Sequence, residues 1–390
     1  MDKKNKNPNV PTLRFNEFSL PWHQMRIIDL LSFQNGLNGT PEQYGKGIKY
    51  ISVGDILNND YITYDKIAGS IDINQETLKN YSVTYGDILF QRSSEIKEDI
   101  GRTNVYLDKD HTATFGGFVI RGKKIGDYNP TFFNYLLKSP SSRQSIVRLG
   151  AGAQHYNIGQ ENIKTLNFYF PDEEEQQKIA NLFSKIDERI QTQIKIIDTL
   201  LSEMNSIRSL IFNKSSLKWI PLKDIVAEQD IKLKRGKVIP KHKKNLKYIY
   251  PVYSSSITNS GLMGYSDSYM FNQELITWSI DGGGNFFYRK KHKFNITNVS
   301  GYMILNENLF NYQFIVQSLI WQHEKLKFDY QTKAHPSVVE SLYKIPIMDL
   351  EEQHKYACLF SNLNEKYELE LHILDLLNMQ KKYLLKNMFV

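Results

Sequence analysis

One stretch constrains the fold more than any other. Asp172 to Asn213 carries apolar residues at a seven-residue spacing, with no Pro or Gly inside it. Phe183, Ile190, Ile197, Met204 and Ile211 share one heptad position. Ile179, Ile186, Leu200 and Ile207 share the other, with Gln193 as its polar gap. A seven-residue period places these side chains along one seam of a helix, and such a seam is stable only against a partner. The spacing therefore predicts a helix roughly 57 Å long at about 1.5 Å per residue, with another helix beside it.

The partner lies in the same chain. Asp349 to Val390 aligns with Asp172 to Asn213 without a gap. Glu174-Glu175-Gln176 meets Glu351-Glu352-Gln353. Lys178, Ala180, Leu182-Phe183-Ser184 and Glu188 meet Lys355, Ala357, Leu359-Phe360-Ser361 and Glu365. The seam recurs as Phe360, Tyr367, Leu374 and Met388 with Tyr356, Leu363, Leu377 and Leu384, and Glu370 stands opposite Gln193. Lys381 and Glu370 at inward positions argue against continuous packing near the middle of the second helix. The duplication reaches further. Leu20-Pro-Trp22 opens the first globular segment as Leu217-Lys-Trp219 opens the second, each segment ending at a long helix.

The expected fold is mixed α/β (α+β): globular domains at 1–170 and 214–347, long helices at 171–213 and 348–390, and an internal pseudo-twofold. Residues 1–18 read as a polar tail. Tyr50–Ile56 reads as a strand ending in a turn, and Thr114–Arg121 as a strand opened by glycine. Short helices are expected at Thr131–Leu137 and Phe310–Leu326. The single cysteine, Cys358, excludes a disulfide framework and a cysteine-ligated zinc site, and buried packing in the second long helix is the default for it. The start of the chain has no apolar core for a signal peptide, and no run is long enough to span a membrane. A reducing, cytoplasmic setting is expected.

The net charge of +7 is unevenly spread. The globular segments are basic, the second more than the first, and the long helices are acidic. A polyanion is drawn to the former. Polar and basic loops interleaved with Tyr and Phe carry the candidate contacts, because Arg, Lys, Gln, Asn and Ser bond phosphates and base edges. In the first segment these are Arg92, Ser93, Ser94, Arg102, Gln154, His155, Tyr156 and Asn157. In the second they are Lys234, Arg235, Lys237, Lys243, Asn285, Arg289, Lys290, Lys291, Lys333 and His335. Each taken singly also fits a solvated loop. Gly282–Gly284 fits a tight turn better than a phosphate cradle.

Catalytic signatures are missing. There is no P-loop, no glycine-rich dinucleotide turn, no Asn/Asp-Pro-Pro-aromatic tetrapeptide and no paired histidines of metal-site spacing. No catalytic or metal-binding residue is expected. Two basic domains, each followed by a long helix with the same heading, Glu-Glu-Gln and then Leu-Phe-Ser, resemble the DNA-specificity subunit of type I restriction–modification systems. Tyr50–Ile56 is similar to an early strand of that family's first target-recognition domain. Tyr250–Ser256 with Gly261–Gly264 is similar to a common second-domain type. The resemblance implies an adaptor without chemistry of its own. Each domain would read half of a bipartite, asymmetric DNA site. The helices would pair antiparallel through Ile179, Phe183, Ile186, Ile190, Ile197, Leu200, Met204, Ile207, Tyr356, Phe360, Leu363, Tyr367, Leu374, Leu377 and Leu384. They would also set the spacer and dock two methyltransferase subunits. S-adenosylmethionine, ATP and Mg would belong to those subunits and to restriction–translocase subunits. A DNA- or protein-binding scaffold unconnected with methylation is the alternative, and an enzyme acting alone is a third reading.

Overall fold

Each globular segment closes on itself through its first and last strands. In the computed structural model, His23–Arg26 pairs antiparallel with Asn167–Phe170, the strand that runs into the first long helix. Lys218–Pro221 pairs antiparallel with Lys344–Ile347, ahead of the second. The structure describes residues 9–256, 258–281, 283–326 and 333–390. The chain divides into two units. Unit 1 takes residues up to Gln193 together with Ile373–Val390, and unit 2 takes Ile194–His372.

In unit 1 a four-stranded antiparallel sheet runs Leu31–Asn35, Val119–Lys124, Ile88–Gln91, Thr103–Val105. Ile88–Gln91 is buried along its length, as suits a central strand. A three-stranded sheet adds Gly69–Ile71, Tyr44–Ile51 and Thr114–Phe115. The expected strand at Tyr50–Ile56 differs: the strand ends at Ile51 and Val53–Asn58 is helical. Ser52 caps that helix in a reciprocal capping box with Asp55, a local signal that overrides the apolar run. In unit 2 a six-stranded sheet runs Ile231–Arg235, Ser300–Leu305, Phe271–Ser279, Phe286–Ile296, Tyr250–Tyr253, Leu262–Ser266. The short helices lie at Pro130–Lys138 and Tyr312–His323, each N-capped by an asparagine, Asn129 and Asn311.

The long helices are Glu173–Phe212 and Leu350–Asn387, both unbroken. In unit 1 the start of the first and the end of the second share a core: Ile179, Ala180 and Phe183 with Leu384, Met388 and Phe389. In unit 2 the end of the first and the start of the second do so: Ile207, Ile211 and Phe212 with Tyr356, Ala357, Phe360 and Leu363. Within each unit the helices therefore pack antiparallel, as expected. Ile186, Ile190, Ile197, Leu200, Met204 and Leu377 are also buried, and Tyr367 and Leu374 are half-buried. The polar residue Lys381 does not break the helix. Its ammonium lies 2.5 Å from Asp187 Oδ1 and 3.8 Å from Asp60 Oδ1, while Tyr135 Oη donates to Asp187 Oδ2 at 2.6 Å.

The shared Glu-Glu-Gln signature has a structural cause. Gln176 Oε1 accepts from the Asn129 backbone N–H at 3.0 Å, and its Nε2 donates to Pro171 O at 3.0 Å. Gln353 repeats this with the Asn311 N–H at 2.9 Å and with Met348 O and Leu309 O at 2.8 and 2.9 Å. Each glutamine ties the start of a long helix to the cap of the short helix beside it. The aromatic anchors match as well. Phe389 packs on Trp22 and Phe132, with ring centroids 6.4 and 5.6 Å apart. Phe212 packs on Trp219 and Phe314 at 6.1 and 5.5 Å.

Two further expectations need correction. Residues 9–18 are not a loose tail, because the Leu13 N–H donates to Asn387 O at 2.8 Å and the Arg14 guanidinium donates to both oxygens of buried Glu175 at 2.7 and 2.6 Å. Residues 1–8 of that stretch lie outside the described residues. Cys358 is exposed. It follows the inward Ala357, and the next seam residue is Phe360, so its side chain falls on the solvent face of the helix.

Candidate nucleic-acid interface

In unit 1 the buried strand Ile88–Gln91 surfaces at its polar end. Gln91 Nε2 donates to Ser93 O at 2.8 Å and turns the chain outward. Ser93–Ser94 then pairs antiparallel with Tyr156–Asn157, and Ser93 Oγ donates to Asn157 Oδ1 at 2.5 Å. Ala151 and Asn157 exchange backbone bonds at 3.0 and 2.8 Å, so exposed Gln154 and His155 lie at the tip of a small loop. Gly152 has φ +135°, and a Cβ there would sit 2.0 Å from His155 O, so the loop closes only with glycine. Two clusters some sixty positions apart in sequence thus form one polar ledge. Arg92 is exposed beside it, and its guanidinium donates to Gly117 O at 3.3 Å.

Unit 2 builds a ledge in the same topological place. The Arg92 N–H donates to Phe118 O at 2.9 Å and Arg92 O accepts from the Ile158 N–H at 3.0 Å. The Ile280 N–H donates to Val299 O at 3.0 Å and Ile280 O accepts from the Ala334 N–H at 2.9 Å. Ile280 thus corresponds to Arg92, and Ala334 to Ile158. Here too two separated clusters meet. The Lys333 ammonium is 3.2 Å from Asp281 Oδ1, and Asn285 O accepts from the Ser279 N–H at 3.2 Å. Gly283 and Gly284 have positive φ, the tight turn expected there, and Gly282 lies outside the described residues. His335 is half-buried at the N-cap of the Pro336–Leu342 helix.

The remaining candidates scatter. Lys234 and Arg235 end the Ile231–Arg235 strand, and Arg235 donates to Asn298 O at 2.8 and 3.2 Å. Lys237 lines a cavity of about 330 Å³ with His242, Tyr248 and Tyr269. Lys243 is exposed on the segment that follows Lys237. Its neighbours interleave with aromatic rings. Lys244 stands over Tyr265 at 5.5 Å, Lys247 over Tyr248 at 5.3 Å and Lys293 over Tyr269 at 4.9 Å. Lys247 and Lys293 were not among the expected candidates, although Lys247 opens the alternating run Lys247-Tyr248-Ile249-Tyr250.

Arg102 pairs with Asp99, its Nε donating at 2.7 Å, and opens onto a cavity of about 440 Å³ that also meets Lys138, Arg143 and Lys381. Burial holds the Lys138 ammonium down to about 8, with Lys381 adding to the effect. Arg143 spends its guanidinium on the carbonyls of Gly101, Glu98 and Ile100. Arg289 is buried. Its Nε donates to Thr277 Oγ1 at 3.0 Å, its Nη2 to Ser260 O at 2.7 Å, and the guanidinium lies 3.8 Å from the centre of the Tyr253 ring. Burial lowers it to about 10, so it stays charged at neutral pH. Lys290 pairs with Glu365 at 3.0 Å, and Lys291 is exposed. Among the described residues no cluster of His, Cys, Asp and Glu could hold a metal ion, and no helix is long and apolar enough to cross a membrane.

Residues 20–201 and 218–379 match the family described as the type I restriction modification DNA specificity domain. The chain belongs to that family. Its relatives include a type I restriction enzyme specificity subunit of Methanocaldococcus jannaschii, 27% identical over 54% of this chain and 49% of that one. A type I specificity subunit of Mycoplasma pneumoniae is 33% identical over 33% of this chain and 41% of its own length. The chain thus spans about half or less of the length of these curated relatives. A solved type I restriction–modification S subunit from M. genitalium is similar in fold, with TM-score 0.62 at 20% identity, covering 98% of this chain and 99% of that one. A chain from a structure of type I restriction–modification complex assembly and conformational transition has TM-score 0.57 at 10% identity, covering 94% and 98%. The two family domains coincide with the repeated frame, and the candidate ledges are carried on it.

Proposed function

We propose that this member of the specificity family is a non-catalytic adaptor in which each unit reads one half of a bipartite, asymmetric double-stranded DNA site. One observation carries the reading. The frame is the same in both units, down to the Gln176 and Gln353 anchors, while the ledges it holds differ: Arg92, Ser93, Ser94 and Asn157 in one, Asp281, Asn285 and Lys333 in the other. A shared support with unlike polar surfaces suits two readers of unlike sequence, since base edges are told apart by the donor and acceptor pattern presented to them. The lysine–tyrosine segment of unit 2 would add phosphate contacts that give affinity without sequence preference.

On this reading the long helices set the spacer between the half-sites, because two linked readers gain from effective concentration only where the linker fits the separation. They would also dock two methyltransferase subunits, with restriction–translocase subunits joining for cleavage, in the cytoplasm. Adenine methylation with S-adenosylmethionine, and ATP- and Mg-dependent cleavage, would reside in those partners. The relation in fold to a chain of a type I assembly supports the reading. The test is to express this chain with and without a cognate methyltransferase subunit and map modified adenines by single-molecule sequencing. A single split motif that appears only with both is the expected result. Modification that persists when this chain is omitted would overturn the proposal in favour of a scaffold.

A further inference from the structure

The tight turn after Thr114–Phe115, which leads into the strand Val119–Lys124 of the other sheet, carries an exposed aromatic that packing does not explain. The Val119 N–H donates to Gly116 O at 2.8 Å, closing a turn with Gly117 and Phe118 at its tip. Phe118 is 67% exposed, among the most exposed large apolar side chains described. Turn tips favour Gly, Asn, Asp and Ser, which solvate well, whereas burying a phenylalanine is favourable by about 1.5–3 kcal/mol. The turn is crowded on its inner side. A Cβ at Gly116 would lie 2.4 Å from Tyr50 Oη, and one at Gly117 would lie 2.1 Å from Asn38 Oδ1. The two glycines let the turn sit tight on the sheet and leave the Phe118 ring standing outward.

What stands beside it is the ledge. Phe118 O accepts from the Arg92 N–H, and the Arg92 guanidinium reaches Gly117 O. An exposed cation and an exposed ring therefore flank one short turn, next to Ser93, Ser94 and Asn157. Unit 2 has the same turn, with the Ser300 N–H donating to Thr297 O at 3.0 Å, but its tip is Asn298-Val299 and Ile280 takes the place of Arg92. A cation meets that turn too, with Arg235 donating to Asn298 O, so what is particular to unit 1 is the exposed ring beside the cation.

We infer that Phe118 is a specificity-determining residue of unit 1. Its ring meets the apolar surface of a base, either the 5-methyl group of a thymine in the groove or the face of a base at an opened step, while Arg92 holds the adjacent phosphate or base edge. Both contacts are known uses of phenylalanine and arginine on DNA. The inference rests on the DNA-reading role proposed above.

The test uses the full chain assembled with its methyltransferase subunit. Methylation motifs are mapped for the native chain, Phe118→Ala, Phe118→Tyr and Arg92→Ala. Phe118→Ala should lose roughly tenfold discrimination at one position of a single half-site, with the other half unchanged, and Phe118→Tyr should keep the motif. Arg92→Ala should weaken binding of the native duplex. Deoxyuridine in place of thymine at the affected position reproduces the loss if the contact is to the methyl group. A 2-aminopurine signal that rises with the native complex and not with Phe118→Ala identifies an opened step. Phe118→Ala should melt at the native temperature, because the ring is exposed. An unchanged motif in Phe118→Ala, with the native complex selective, overturns this inference alone. A native complex with no motif overturns the reading beneath it.

Discussion

The side chain of Gln176 holds the backbone N–H of Asn129 at 3.0 Å, across a gap that joins a long helix to the cap of a short one. Gln176 is buried, and its amide also donates to Pro171 O. Gln176→Ala removes both bonds and leaves buried backbone groups unpaired, which costs about 1–3 kcal/mol each when water cannot reach them. We expect unit 1 to lose roughly 2–4 kcal/mol in urea unfolding, and Gln353→Ala to do the same to unit 2. A loss below about 0.5 kcal/mol would show that the glutamines are incidental to the helix starts.

Arg289 behaves as a structural residue despite its charge. Arg289→Ala deletes the bonds to Thr277 and Ser260 and the stacking on Tyr253. The expected loss is roughly 2–4 kcal/mol. Lys291→Ala, at an exposed position, should stay within about 0.5 kcal/mol. Comparing the two by chemical denaturation separates folding from DNA binding, and a stable Arg289→Ala chain would place the guanidinium outside the core.

Arg289 also marks where sequence reading reached its limit. The heptad residues from Ile179 to Leu384 were legible because a seven-residue period states which face is buried. Gln176 and Gln353 were legible because the chain prints them twice. The ledge residues were legible as candidates, but their meeting was not, since the pairing of Ser93–Ser94 with Tyr156–Asn157 joins two distant segments that no local pattern links. The role of Arg289 was hidden for a related reason. Residue type suggested a surface cation beside Lys290 and Lys291, but strand alternation turns Arg289 inward beneath Tyr253. Phe118 was read within the Thr114–Arg121 strand, and only the turn closed by Gly116 shows it at a tip.

Lys138 gives a pH dependence with a definite sign. Its ammonium donates to Asp60 O at 2.6 Å, and burial holds its pKa at about 8 in the folded chain, against about 10.4 for an unperturbed lysine. Below about pH 8 both states are protonated and the burial penalty is fully present. As pH rises from about 8 toward 10.4 the folded state gives up the proton while the unfolded state keeps it, so this contribution to stability grows with pH. Across that window the native chain should gain up to roughly 3 kcal/mol relative to Lys138→Met, whose profile has no such titration. Parallel profiles for the two chains would mean that Lys138 titrates normally.

The lysine–tyrosine segment of unit 2 should act through phosphates. Lys243, Lys244 and Lys247 are exposed, and two of them rest on tyrosine rings rather than on carboxylates. Replacing each by Ala should weaken binding about equally on specific and unrelated DNA. The slope of log K against log salt should fall by about 1 for each phosphate that is no longer neutralised. Lys290, paired with Glu365, should change the slope less. Fluorescence anisotropy over a salt series measures both. A triple variant with the native slope would place this segment away from DNA.

The proposed ruler makes a geometric prediction. Gln193 and Glu370 occupy equivalent positions in the two long helices. Seven residues inserted at both sites keep the heptad seam in phase, because seven residues close two turns of a paired helix. They lengthen each helix by about 10.5 Å at 1.5 Å per residue, or about three base pairs of 3.4 Å. The mapped motif should keep both halves and widen its spacer by about three base pairs. Four residues at Gln193 alone shift one seam against the other and should abolish methylation. If the matched seven-residue insertion instead methylates with the original spacer, the separation of the half-sites is set by something other than these helices.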